Sequence, residues 1–146
     1  MGFGAAWIQT MKVVMVNGCF DPLHVGHLYH LLAARRLGDM LIVSLTCDES
    51  VTKEKGPQRP VFNQVHRENM LRALRCVDGV VVVTDALDAL QKVRPQVFVK
   101  GSDYTGRIAP SNIEYCKTHG IEIVLTDELT FSSTKLLRHY ADSGRR

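Results

Sequence analysis

Apolar, often β-branched runs alternate with amphipathic segments along almost the whole chain. The apolar runs predict five strands, at residues 12–17, 40–45, 80–83, 97–100 and 122–125. The segments between and after them predict five helices, at residues 26–37, 63–74, 86–93, 111–119 and 133–140. Strands without strict alternation of polar and apolar residues are typical of a parallel sheet covered on both faces. The order of elements therefore predicts an α/β domain with a five-stranded parallel sheet.

One internal stretch, residues 48–60, shows neither the apolar run of a strand nor the spacing of an amphipathic helix, and it contains lysine, glycine and proline residues. We interpret it as a long loop between a strand and a helix, and loops of this length often have a function. In open parallel sheets, the ligand crevice lies beyond the carboxyl ends of the strands. Candidate chemistry is therefore expected in residues 18–27, 47–67, 101–106 and 127–134.

Composition narrows the class of protein. The chain has 146 residues, 45% of them hydrophobic and 23% charged, which fits one globular domain. A net charge of +3 without a long basic run argues against a nucleic-acid partner and remains compatible with small anionic substrates. The four cysteines are widely spaced and predict neither disulfides nor a zinc site, so no metal ligands are assigned. With no long apolar run and no leader-like start, we expect a cytoplasmic protein without a membrane partner.

The most informative segment, residues 17–27, follows the first strand and leads into the first helix. Gly18 lets the backbone approach a ligand closely, and the start of a helix presents N–H groups and a positive dipole end to an anion. His24 and His27 can both point at a phosphate, while Gly26 leaves room for it. This constellation predicts a phosphate-binding catalytic site.

The pattern Gly18-x-Phe20-Asp21-x-x-His24-x-Gly26-His27 resembles the cytidylyltransferase-like superfamily of nucleotidyltransferases. The resemblance extends from residue 12 to about residue 140 and implies a single Rossmann-like, doubly wound domain. Within the superfamily, the adenylyltransferase domain of bacterial ADP-heptose synthesis is most similar. That similarity rests on Leu37-Gly38-Asp39, Lys55-Gly56, Arg59-Pro60-Val61, Arg67, Val77-Asp78 and residues 99–104. Glycerol-3-phosphate cytidylyltransferase is next, although Asp127 stands where its signature has arginine.

The resemblance also implies roles for residues outside the histidine motif. Lys55 would reach the triphosphate or the acceptor phosphate, and Arg67 would clamp a phosphate through two hydrogen bonds. Asp103 would accept a hydrogen bond from the ribose or the base, beside a wall shaped by Lys100. The hydroxyls that open the last helix would both cap it and bind phosphate, and they belong to Ser132, Ser133 and Thr134.

The implied reaction is attack of an acceptor phosphate on the α-phosphorus of a nucleoside triphosphate, with release of pyrophosphate. We expect Mg²⁺ to arrive with the triphosphate, and ATP and heptose 1-phosphate to be the substrates. Two alternatives stay open: a CTP-dependent cytidylyltransferase for a polyol or amino-alcohol phosphate, and a nucleotide-binding module without turnover. The expected organisation is an N-terminal extension at 1–11, the catalytic domain at 12–140 and a tail at 141–146, in a homodimer.

Overall fold

The computed structural model describes residues 11–101, 108–126 and 132–144. Within these ranges, five strands and six helices succeed one another along the chain. The strands are β1 (Val13–Gly18), β2 (Met40–Thr46), β3 (Gly79–Val83), β4 (Val97–Gly101) and β5 (Glu122–Thr126). The helices are α1 (Val25–Arg35), α2 (Asp48–Lys55), α3 (Gln64–Arg72), α4 (Ala86–Val93), α5 (Pro110–Thr118) and α6 (Ser133–Ser143).

The five strands form one sheet in the order β3-β2-β1-β4-β5, and all neighbouring pairs are parallel. In the centre of the sheet, Val16 of β1 lies opposite Val43 of β2 and Val99 of β4. The predicted α/β fold with a five-stranded parallel sheet is therefore confirmed. Because the chain builds outward from β1 to β3 and then returns to β4, the strand order reverses between β1 and β4. That reversal is where ligands bind in open sheets of this kind.

Each face of the sheet is covered by helices, because successive residues of a buried strand point to opposite sides. On one face, Val14 and Val16 pack with Leu31 of α1 and Leu71 of α3. On the other face, Met15 and Phe98 pack with residues of α4 and α5, including Leu90 and Cys116. Both faces are dry, which explains the near-continuous apolar strands and confirms the doubly wound arrangement. None of the helices in the described ranges is long and apolar enough to cross a bilayer.

The structure corrects the prediction that residues 48–60 form an aperiodic loop. Residues Asp48–Lys55 are helix α2, with acidic residues in the first turn and Lys53 and Lys55 in the last, as the helix dipole favours. Val51 is the only buried residue of this helix, so no apolar stripe marks the helix in the sequence. The non-helical remainder begins at Gly56, whose φ of 102° suits glycine.

Candidate active site

A pocket of about 540 Å³ opens at the carboxyl ends of β1 and β4, where the strand order reverses. Its walls come from the end of β1, the start of α1, the end of α2, the end of β4 and the start of α6. Most of the predicted site residues line it: Gly18, Phe20, His24, His27, Lys55, Lys100, Ser132, Ser133 and Thr134. Gly26 is buried in the first turn of α1. Asp103 lies outside the described residues, as do residues 127–131.

The two histidines of the motif begin helix α1 and cap it reciprocally. His24 is the N-cap, and its Nδ1 accepts hydrogen bonds from the N–H groups of Gly26 at 3.1 Å and His27 at 3.3 Å. In return, Nδ1 of His27 accepts from the N–H of His24 at 3.2 Å. A ring nitrogen that accepts a hydrogen bond carries no proton, so the neutral form of each ring is protonated on Nε2. Both neutral rings therefore carry their proton on Nε2, in residues that line the pocket. Nε2 of His24 is itself buried.

The two rings are also held in the neutral state. They stack with centroids 3.7 Å apart and planes inclined by 18°. Burial, reinforced by the neighbouring His24, His30 and Lys55, lowers the pKa of His27 to about 3. Burial also lowers the pKa of His24. At neutral pH, two neutral imidazoles rather than two imidazolium cations thus line the pocket.

Phe20 supports this pair from the end of β1. Its ring lies 5.0 Å from the ring of His27, and its backbone has a φ of 48°. A side chain on Gly18 would place its Cβ 3.0 Å from the ring of Phe20. A side chain at this position would therefore press on the ring of Phe20, which packs beside the histidines. Strained backbone of this kind is commonly kept at functional sites.

The start of α6 contributes hydroxyl groups that make different bonds. Ser132 is the N-cap, as predicted, and accepts a hydrogen bond from the N–H of Lys135 at 3.3 Å. Ser133 donates its proton to the carbonyl oxygen of Pro22 at 2.9 Å, tying α6 to the loop before α1. Thr134 instead accepts a hydrogen bond from Nη1 of Arg59 at 3.3 Å. In this arrangement the proton of Ser133 is engaged, whereas that of Thr134 can be directed to a ligand.

Arg67 lies away from the pocket, contrary to the predicted phosphate clamp. Its side chain is fully buried and donates to the carbonyl oxygens of Cys19, Thr46 and Phe62 at 2.8 to 2.9 Å. It also pairs with Asp48 at 2.6 Å. Because protein acceptors occupy the guanidinium on several sides, Arg67 joins the ends of β1 and β2 to helices α2 and α3.

Two features of the site escaped the sequence analysis. The first is His30, which lines the pocket with Nδ1 2.8 Å from Oγ1 of Thr126 at the end of β5. It follows His27 by three residues, a spacing that places both on one face of a helix and could have revealed it. The second is the buried ion pair between Asp21 and Arg59, 2.9 Å apart, which joins the motif to the segment after α2. No local pattern links these two positions.

Charge around the pocket is mixed. Lys55 and Lys100 line it together with Glu54. Within the described ranges, no group of three or more histidine, cysteine or acidic side chains is arranged to hold a metal ion.

Fold and pocket together define an α/β domain with a polar pocket at the reversal point of a parallel sheet. A family model described as Cytidylyltransferase-like matches residues 15–138, and the chain belongs to this family. The resemblance seen in the sequence is therefore confirmed.

Curated relatives carry the name "Bifunctional protein HldE". The protein of that name from Syntrophotalea carbinolica is 41% identical over 124 residues, covering 84% of this chain and 25% of the relative. That from Geobacter sulfurreducens is 46% identical over 99 residues, covering 66% and 20%. The chain thus spans about a quarter of the length of the curated relatives it matches.

Solved structures support the fold. A lipopolysaccharide core biosynthesis protein from Thermoplasma volcanium aligns with a TM-score of 0.67 and 24% identity, covering 84% of this chain and 99% of that one. Pantothenate synthetase from Thermus thermophilus aligns with a TM-score of 0.61 and 16% identity, covering 86% and 61%.

Proposed function

We propose that this chain is a nucleotidyltransferase domain that transfers a nucleoside monophosphate from a triphosphate to a phosphorylated acceptor. The specific substrates proposed are ATP and heptose 1-phosphate, which give ADP-heptose and pyrophosphate. The observation that carries the proposal is the pair of Nε2–H donors on His24 and His27, fixed at the first turn of α1 in the pocket.

The chemistry needs positioning more than proton transfer. A phosphate monoester has its second pKa near ~6, so the acceptor is largely a dianion at neutral pH and needs no general base. One of its oxygens attacks the α-phosphorus in line, the new O–P bond forms, and the bond to the bridging oxygen breaks as pyrophosphate leaves. The nucleotide substrate is proposed to enter as its Mg²⁺ complex, which offsets part of the triphosphate charge.

Different residues of the pocket would bind different parts of the two substrates. His24 and His27 would donate to oxygens of the reacting phosphate, where charge redistributes in the transition state. The first turn of α6 would bind the leaving phosphates through its N–H groups and the Thr134 hydroxyl. Lys55, in the last turn of α2, would supply a full positive charge from the wall that this helix forms. Asp103 and Lys100 would contact the ribose or the base.

A pyrophosphate-release assay tests this proposal with the four common nucleoside triphosphates against sugar 1-phosphates and polyol phosphates. We expect turnover with ATP and heptose 1-phosphate, and a loss of at least ~10²-fold in kcat for His24→Ala and for His27→Ala. His66→Ala, at an exposed position on α3, is the matched control.

The outcomes separate the alternatives. Turnover with CTP and glycerol 3-phosphate would support the cytidylyltransferase instead. Binding of nucleotide without release of pyrophosphate from any pair would support the non-catalytic module. Wild-type turnover in both histidine variants would refute the assigned mechanism.

A further inference from the structure

Arg59, in the segment after α2, contacts both the histidine motif and a residue of the pocket wall. The carboxylate of Asp21 is fully buried and accepts hydrogen bonds from the N–H groups of Val61 at 2.8 Å and Phe62 at 3.0 Å. It also accepts from Nε of Arg59 at 2.9 Å, and the backbone oxygen of Asp21 accepts from Nη2 at 2.6 Å. The guanidinium is thus held on two sides by one residue of the histidine motif.

The charge of Asp21 supports the same arrangement. Burial alone would raise the pKa of its carboxyl group, but the hydrogen bonds from Phe62, Val61 and Arg59 outweigh burial and lower it. Asp21 is therefore ionised at neutral pH, and its negative charge compensates that of Arg59. Because the pair is close to neutral, the long-range field of Arg59 in the pocket is weak.

The remaining contact of Arg59 points at the pocket wall. Its Nη1 donates to Oγ1 of Thr134 at 3.3 Å, in the first turn of α6. Thr134 lines the pocket, whereas Arg59 lies behind it with 11% of its side chain exposed. A hydroxyl has one proton, and a guanidinium can only donate. Once Arg59 donates to Oγ1, the hydroxyl proton of Thr134 must point away from the arginine.

We propose that Arg59 is a positioning residue that fixes the Thr134 hydroxyl as a donor toward the triphosphate. This inference rests on the proposed function only in requiring that a triphosphate binds in the pocket. Without Arg59, the hydroxyl could rotate and donate elsewhere, and the first turn of α6 would lose its tie to Asp21. The neighbouring Ser133 shows the contrast, because its proton is already given to the carbonyl oxygen of Pro22.

A double-mutant cycle tests the inference, with binding measured by calorimetry. The probes are Mg²⁺–ATP and inorganic triphosphate with Mg²⁺, because the latter needs neither the correct base nor turnover. We expect Thr134→Val to weaken binding about tenfold and Arg59→Met about fivefold, the scale of a charge-assisted hydrogen bond. In the Thr134→Val background, Arg59→Met should change the dissociation constant by less than about twofold, because the hydroxyl it orients is gone.

Three further variants separate a specific effect on the Thr134 hydroxyl from a general loss of stability. Thr134→Ser retains the hydroxyl and should retain most of the binding and the sensitivity to Arg59→Met. In Arg59→Lys, a single ammonium group cannot hold Asp21 and Thr134 with the same geometry. This variant should therefore retain only part of the wild-type affinity for triphosphate. Arg35→Met is the control: Arg35 bonds Gly38 and Asp78 at the far end of α1, so its loss should lower Tm without changing triphosphate binding.

The outcomes distinguish this inference from the proposed function. An undiminished effect of Arg59→Met in the Thr134→Val background would overturn it, since Arg59 would then act directly on the ligand. An Arg59→Lys variant that binds like wild type, or a wild type that binds neither probe, would overturn it as well. If wild type binds triphosphate but releases no pyrophosphate with any nucleotide, the proposed function fails and the cycle still decides the role of Arg59.

Discussion

His27 makes the stability of the fold depend on pH in a direction that can be calculated. Its pKa is lowered to about 3 in the folded chain, mainly by burial, whereas an unfolded histidine titrates near ~6.5. Between these values the unfolded chain binds a proton that the folded chain does not. Stability from this residue is therefore fully present above about pH 6.5 and is lost progressively as the pH falls toward 3.

The size of the loss follows from the same two values. Lowering the pH from 7.5 to 5.5 should cost about 1 kcal/mol through His27, rising to about 3 kcal/mol by pH 4.5. The first figure depends almost entirely on the unfolded pKa, because the folded value lies well below that window. Burial lowers the pKa of His24 as well, so the total loss in the wild type should exceed the His27 share.

The perturbation is His27→Asn, whose Oδ1 can replace Nδ1 as the acceptor for the N–H of His24. Urea unfolding at pH 7.5 and 5.5 gives the free energy of unfolding for each protein. The variant should lose about 1 kcal/mol less than wild type between the two pH values. His66→Asn, which removes an exposed imidazole, is the control. Equal losses in wild type and His27→Asn would refute the assignment of a desolvated, neutral His27.

Three further predictions concern other residues and the assembly. Arg67→Met should lower the free energy of unfolding by about 3 to 5 kcal/mol, measured in urea, because three carbonyl oxygens lose a buried, charged donor. A loss below about 1 kcal/mol, the size expected for an exposed pair, would contradict this. Lys55→Ala should raise KM for a phosphorylated ligand and lower kcat in the pyrophosphate assay, whereas Lys55→Arg should keep part of the activity. Unaltered kinetics in Lys55→Ala would mean that Lys55 is a solvated side chain without a role in binding. We also propose a homodimer, which sedimentation velocity at micromolar concentration would show, and a monomer there would reject it.

The parts of the fold that could be predicted are those in which neighbouring residues share one environment. β1 and β4 lie between two helical layers, so residues 13–16 and 97–99 are all apolar and predict the two strands directly. His24 and His27 are informative for a similar reason, since their chemistry lies within one helical turn. Their neutral state could not be predicted, because it depends on burial by the surrounding fold.

What the sequence could not predict depends on contacts between distant segments. Helix α2 has one buried residue, so its few core contacts leave no periodic trace. Arg59 and Thr134 are 75 positions apart, and His30 and Thr126 are 96 apart. No local sequence pattern predicts a contact over such separations. The phosphate-binding role predicted for Arg67 could not be separated from a structural one. An arginine near a predicted phosphate site looks the same in sequence whether it faces a ligand or protein carbonyl groups.

The reciprocal cap at the start of α1 means that the reactive groups are organised by folding itself. The hydrogen bonds that begin the helix also decide which nitrogen of His24 and of His27 carries the proton. The conformational entropy of orienting these two rings is therefore lost when the chain folds, and a ligand that arrives later need not order them again. An acid-induced proton on either Nδ1 would break a bond of the cap, so the same event would charge the pocket and loosen the first turn beneath it.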